Sequence, residues 1–230
     1  MQDKDYKIKV TKNGPYFISG NIPLDKEFIK SDKEGYPIKY VKGKYYHNKK
    51  NYLLCRCGNS KHKPYCDNTH IKISFDGTET ASKNNYIDRA KKIPGPKLIL
   101  NNDPELCASA RFCTRAGGIR KLTENSDDKK SKKTAVQEVC SCPSGSLVII
   151  DKKTGRPIEP DLKNYISILE DPDKKVGGQI QIKGGIPVES SEGFKYEIRN
   201  RVALCRCGKS DNKPFCDGNH ITFGFIDDSD

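Results

Sequence analysis

The stretch Cys55-Arg56-Cys57 … Cys66-Asp67-Asn68-Thr69-His70 recurs in the second half of the chain as Cys205-Arg206-Cys207 … Cys216-Asp217-Gly218-Asn219-His220. Both copies read L-C-R-C-G-x-S-x-x-K-P-[YF]-C-D-x-x-H-I. A folding core preserves hydrophobicity and volume, whereas a metal site preserves sulfur and imidazole at fixed intervals. The repeat therefore commits the chain to two copies of one metal-bearing module.

Composition points the same way. Of 230 residues only 34% are hydrophobic and none is Trp, so small modules stapled by metal are expected rather than one large apolar core. No window approaches the roughly 18 apolar residues of a membrane span. The first ten residues show no apolar secretory region, which sets a cytoplasmic location as the expectation. In a reducing compartment the ten cysteines are expected to be thiolate ligands rather than disulfides. The net charge of +12 is spread over many lysines; it describes a solvated surface or one that docks an acidic protein, and no basic stripe interleaved with aromatics supports a nucleic-acid partner.

The repeat extends upstream of the cysteines. Tyr6–Val10 and Gly14–Leu24 correspond to Tyr165–Leu169 and Gly178–Val188, short alternating runs broken by Gly and Pro that predict strands and turns. The stretch from Asp25 to Asn51 exceeds its counterpart Glu189–Arg201 and is expected to be a surface loop. Three units result: 1–88, 89–160 and 161–230. In the middle unit, Ile93-Pro-Gly-Pro96 is expected to be a linker. Asp103-Pro104 predicts a short helix over Glu105–Phe112, Leu122–Lys133 an exposed loop, and Leu147–Ile150 a strand running into a turn.

Each repeat supplies C-x-C-x8-C-x3-H. Zinc accepts such donors, but structural zinc sites space paired cysteines as C-x2-4-C. The tighter C-x-C grips one metal, while Cys66 and His70, a helical turn apart, could hold another. Asp67 and Asp217 are expected to cap the ligand helices. His47 and His62 have no counterparts and are expected on the surface. Arg56 and Arg206 either neighbour the metal or face solvent.

Cys205, Cys207, Ser210, Pro214, Cys216, Asp217, Gly218 and His220 fill every position of the pattern C-x-C-x2-S-x3-P-x-C-D-G-x-x-H, and the chain here resembles the CDGSH iron–sulfur domain family. The first copy departs once, with Asn68 in place of glycine; Asn is the next most tolerant residue at positive φ. The resemblance implies a [2Fe–2S] cluster on Cys55, Cys57, Cys66 and His70 and another on Cys205, Cys207, Cys216 and His220. It also implies an internal pseudo-dimer of the two modules and hence a monomeric protein. Because imidazole binds iron only when its coordinating nitrogen carries no proton, such clusters are expected to be acid-labile.

Four cysteines remain: Cys107, Cys113, Cys140 and Cys142. Cys107, Cys113 and Cys142, with Pro143, Ser144, Gly145 and Leu147, resemble a divergent single-cluster ferredoxin family carrying C-x-H-x3-C and C-P-S-G-A-L, although Ser109 stands where that family often has His and Cys140 is an extra thiol beside the C-P pair. The ten cysteines and two repeated histidines divide into three sets of four, which favours a [4Fe–4S] cluster on all four middle cysteines; the alternative is [3Fe–4S] on Cys107, Cys113 and Cys142. The expected fold is α+β and mostly small β, with a ferredoxin-like α+β domain between two β-rich modules. The expected function is electron transfer with a redox partner protein, or cluster storage and delivery to an apo-protein, rather than catalysis.

Overall fold

The computed structural model describes residues 6–227. The first repeat forms β1 (Lys7–Val10), β2 (Tyr16–Ser19), β3 (Leu24–Ser31), β4 (Pro37–Tyr46), β5 (Tyr52–Leu54) and the ligand helix α1 (Thr69–Lys72). The middle segment follows as α2 (Tyr86–Arg89), β6 (Lys91–Pro94), β7 (Leu98–Asn102), α3 (Ile119–Glu124), α4 (Lys129–Cys140), β8 (Leu147–Asp151) and β9 (Pro157–Ile158). The second repeat adds β10 (Tyr165–Asp171), β11 (Val176–Lys183), β12 (Val188–Glu189), β13 (Arg201–Leu204) and a second ligand helix, α5 (Asn219–Thr222).

The expected alternation holds in β1, where Ile8 and Val10 are buried and Lys9 is exposed. The repeats, however, do not fold side by side; they trade strands. One sheet runs β12-β1-β2-β5, with β12 of the second repeat parallel to β1. Another runs β13-β11-β10-β3-β4, with β3 of the first repeat parallel to β10. A single core follows, in which Ile8, Ile18, Leu24 and Leu54 pack with Ile166, Ile180, Val202 and Leu204.

The stretch 25–51 is therefore not a surface loop. It is largely a hairpin, and its first three residues, Asp25, Lys26 and Glu27, are buried at the exchanged seam. Ser167 donates to Asp25 (2.7 Å), and Lys183 donates to Glu27 (2.7 Å) and to Ser167 (2.9 Å). Buried charges survive only when paired in this way, and here they fix which strand lies beside which. The short helix after Asp103 is a 3-10 turn of Pro104–Leu106, with Asp103 accepting from the Glu105 N–H. Leu122–Lys133 is not an exposed loop either: it spans the end of α3 and the start of α4, where Asp128 accepts from the Ser131 N–H. Ile93 and Pro94 lie in an edge strand rather than a linker, and Leu147–Asp151 is the predicted strand. The middle segment has its own core of Leu98, Leu100, Leu122, Val139 and Ile149.

Candidate metal centres

The two ligand loops are built alike. The Cys55 N–H donates to the Pro64 carbonyl (2.8 Å) and the Cys66 N–H to Leu53 (3.0 Å); Cys205 and Cys216 do the same with Pro214 and Ala203, each at 2.9 Å. These bonds close the loop so that the C-x-C turn faces the third cysteine. The repeated serine is a strut, since Ser60 donates to the Tyr65 carbonyl (2.6 Å) and Ser210 to Phe215 (2.7 Å). Asp67 accepts from Thr69 and Lys61 N–H groups, and Asp217 from Asn219 and Asp211, which ties each helix start to its loop. Those bonds hold the Asp67 carboxyl well below the usual carboxylate range.

The donors converge in pairs. Cys55 and Cys57 sulfurs are 3.8 Å apart and those of Cys205 and Cys207 3.6 Å; two thiolates on one tetrahedral metal at about 2.3 Å stand about 3.8 Å apart. Cys66 Sγ lies 3.3 Å from His70 Nδ1, and Cys216 Sγ 3.4 Å from His220 Nδ1. Among the described residues, no three such donors converge on a single ion. Two sulfurs on one metal and sulfur plus nitrogen on a neighbouring one is the donor set of a two-metal centre. The charge balance agrees: in each C-x-C pair the hydrogen bond between the thiols favours one thiolate and holds the partner protonated. Both ionise together only beside positive charge. Burial, and after it the Arg206 guanidinium, push His220 down to about 4, leaving it neutral and fit to bind metal.

In the middle segment Cys107, Cys113 and Cys142 line one recess, with Ser109, Arg111 and Phe112 among the residues of its wall. Ser109 and Arg111 take positive φ (54° and 62°), which wraps the chain around the recess. Cys140 is not brought there. Its thiol lies 3.8 Å from the Ile158 carbonyl, facing Arg201 and Glu159. Behind Cys113 stands a carboxyl that the sequence did not single out. Glu138 is fully buried, neither oxygen has a hydrogen-bond partner, and Arg115 Nε is 3.7 Å away. Burial pushes Glu138 up to about 7, partly opposed by Arg115. A carboxyl raised by folding destabilises as pH climbs from its unfolded value towards its folded one. Glu138→Gln is therefore expected to gain about 1–2 kcal/mol more at pH 8.5 than at pH 6, read from urea midpoints.

The three donor sets are contiguous. A carbon added at Gly58 would stand 2.5 Å from the Cys207 carbonyl oxygen, and one at Gly208 2.6 Å from that of Cys57, so the two C-x-C turns touch reciprocally. Of the two ligand-loop faces, the middle segment covers that of the second module; it touches the first repeat at its hairpin, where Ala110 and Phe112 pack on Ile29 and Tyr40 and the Tyr40 hydroxyl donates to the Ser141 carbonyl (2.7 Å). A carbon at Gly218 would meet Ser109 Oγ at 2.3 Å and the Cys107 carbonyl at 3.3 Å; Asn212 donates to the Glu105 carbonyl and Arg111 pairs with Asp171 (2.5 Å). His220 and Gly218 are consequently buried, whereas His70 is half-buried and Asn68 exposed. The single departure of the first copy from the pattern thus has a cause: both positions need positive φ (67° and 90°), but only Gly218 has a neighbour pressed against it.

Arg56 and Arg206 are buried, and neither faces solvent. Arg56 donates to the Gly14 and Thr11 carbonyls, Arg206 to those of Gly178 and Leu169. Arg206 also pairs with Glu170 and Asp227, while Arg56 Nη1 has no hydrogen-bond partner. His47 and His62 are on the surface. The sequence reading missed Arg201, whose guanidinium gathers the Val139, Cys142 and Leu147 carbonyls and Glu159. Its one signal was the replacement of Asn51 in the first copy. No helix among the described residues is long and apolar enough to cross a membrane.

Comparison with known families agrees with this plan. Residues 13–71 and 177–221 both match the family model described as iron-binding zinc finger CDGSH type. Residues 93–152 match the model described as divergent 4Fe-4S mono-cluster. No curated protein and no solved structure gives a significant match.

Proposed function

Because this iron–sulfur chain carries two CDGSH-type segments around a divergent 4Fe-4S mono-cluster segment, we propose that it transfers electrons along three clusters, as a carrier rather than an enzyme. Two [2Fe–2S] clusters are assigned to Cys55, Cys57, Cys66 and His70 and to Cys205, Cys207, Cys216 and His220. The third is assigned to Cys107, Cys113 and Cys142, as [3Fe–4S] or as [4Fe–4S] with one iron not held by cysteine; Cys140 stands outside it. Bound clusters would supply the one-electron chemistry. The chain orients the donors, excludes water from the second module and holds neighbouring sets in contact. The carrying observation is that contiguity: Cys57 touches the Gly208 turn, and Cys107 lies over Gly218 beside Cys216.

Anaerobic EPR with iron and sulfide quantitation tests the reading. The expected result is three distinct paramagnetic centres, reduced and reoxidised with no loss of visible absorption. A colourless, zinc-loaded protein would sink it.

Delivery of a cluster to an apo-protein is the second reading, favoured by the half-buried His70 beside an open recess lined by Lys12, Asn13 and Ile71. Water and protons reach His70 more readily than His220, so acid-driven bleaching is expected in two phases. His70→Cys should slow the fast phase and His220→Cys only the slow one. A single phase, or one indifferent to both substitutions, would remove the support for delivery from the first module.

A further inference from the structure

The second module shows how a cluster-bearing segment seats on a CDGSH-type face. The middle segment covers Gly218 and Cys216 with Cys107, Ala108 and Ser109. The matching face of the first module, formed by Cys66, Asn68, His70 and Ile71, carries no such cover. There Asn68 is exposed, Ile71 is 69% exposed and Ile73 45%. Single exposed apolar side chains are ordinary surface, and Phe223 is as open on the second module; what distinguishes the first module's face is that Ile71 and Ile73 adjoin a ligand loop that nothing among the described residues covers.

Charge says what would seat there. Lys12 lines the recess beside His70, and Lys61 and Lys72 flank the ligand loop and helix. Two carboxylates stand among them, Asp67 bonded to the Lys61 and Thr69 N–H groups and Asp76 to Thr78; both keep their charge, and the three lysines outnumber them. Behind the face lies Arg56, 1% exposed, with Nη1 unpartnered and no carboxylate hydrogen-bonded to it among the described residues. Its counterpart Arg206 is neutralised by Glu170 and Asp227. The covered face is balanced in charge, and the open one is positive.

We propose that the Cys66–Ile71 face of the first module is the docking surface for a small acidic iron–sulfur protein, seated where the middle segment sits on the second module. The proposal rests on the iron–sulfur reading above and names the partner of that site. Positive potential steers an acidic partner, the exposed isoleucines supply the desolvated centre, and the half-buried His70 is the nearest donor to it.

The test uses the full cluster-loaded chain and, as probe, an acidic plant-type [2Fe–2S] ferredoxin. Zero-length carbodiimide cross-links, mapped by mass spectrometry, are expected at Lys12, Lys61 or Lys72. Calorimetry should show binding weakened about tenfold or more by Ile71→Glu with Lys72→Glu. The mirror pair on the second module, Ile221→Glu with Thr222→Glu, should change it less than about twofold. Cross-links concentrated at Lys209, Lys213 or Lys129–Lys133 would overturn the proposal, as would equal effects of the two pairs or no complex at low salt. Because cross-linking does not depend on colour, a colourless chain that still binds through Lys12, Lys61 or Lys72 fails the cluster reading alone. A coloured chain that does not bind fails the docking proposal alone.

Discussion

Gly58→Ala should destabilise the folded chain by about 2–5 kcal/mol, and Gly208→Ala by a similar amount. Two effects combine. Each glycine has positive φ (79° and 76°), where an alanine costs about 1–2 kcal/mol. Each new methyl would also meet backbone: 2.5 Å from the Cys207 oxygen and 2.8 Å from its carbonyl carbon for Gly58, and 2.6 and 2.9 Å from those of Cys57 for Gly208. Backbone cannot rotate away as a side-chain tip can, so the two C-x-C turns must separate. Gly193→Ala is the control, because φ there is 88° and nothing lies within 4 Å. It should show only the conformational cost, about 1–2 kcal/mol. Urea unfolding of the three variants measures the difference. Equal losses would mean that the turns do not depend on their mutual contact.

These glycines also show how far the sequence carries. The pattern L-C-R-C-G repeats its glycine, and a turn requirement accounts for it locally; that each also makes room for the other copy's cysteine is a long-range fact. Ligand pairing was readable because metal donors are specified by residue type and short spacing, which is why Cys66 and His70 could be matched. Strand exchange was not, since pairing β1 with β12 and β3 with β10 joins residues far apart in the chain, and alternation gives a strand but not its neighbour. Asp25 and Glu27 looked like loop residues because their partners, Ser167 and Lys183, lie in the other repeat. Helix α4 was obscured by its lysines; its buried face is only Ala135, Glu138 and Val139, one of them a carboxylic acid. Counting cysteines into sets of four assumed that every thiol is a ligand. Geometry places Cys140 at the last turn of α4, against β9 and away from the recess of Cys107, Cys113 and Cys142.

Arg201→Leu is expected to cost about 3–5 kcal/mol and to release the middle segment from the second module. Arg201 is 2% exposed at the start of β13, the strand that leads into Cys205. Its Nη1 donates to the Val139 (2.5 Å) and Cys142 (2.9 Å) carbonyls, its Nη2 to the Leu147 carbonyl (3.3 Å), and it holds Glu159 through Nη2 (2.6 Å) and Nε (2.8 Å). One planar guanidinium thus fixes the Cys142 loop to the strand bearing the second module's first ligand. Leucine leaves those carbonyls and a carboxylate without their donor, which is dearer than never having had one. Arg201→Lys should recover only part of the loss, because an ammonium keeps the charge but not the fork. In urea the wild-type chain should lose its middle and second-module structure together, whereas Arg201→Leu should show an earlier separate transition for the middle segment. The same variant should weaken any magnetic interaction between the middle cluster and that of the second module. The corresponding residue of the first copy is Asn51, and the middle segment meets the first repeat not at its ligand loop but at Ile29 and Tyr40 of the hairpin. If Arg201→Leu left unfolding cooperative and the interaction unchanged, contiguity of the middle and second sites would not depend on this anchor.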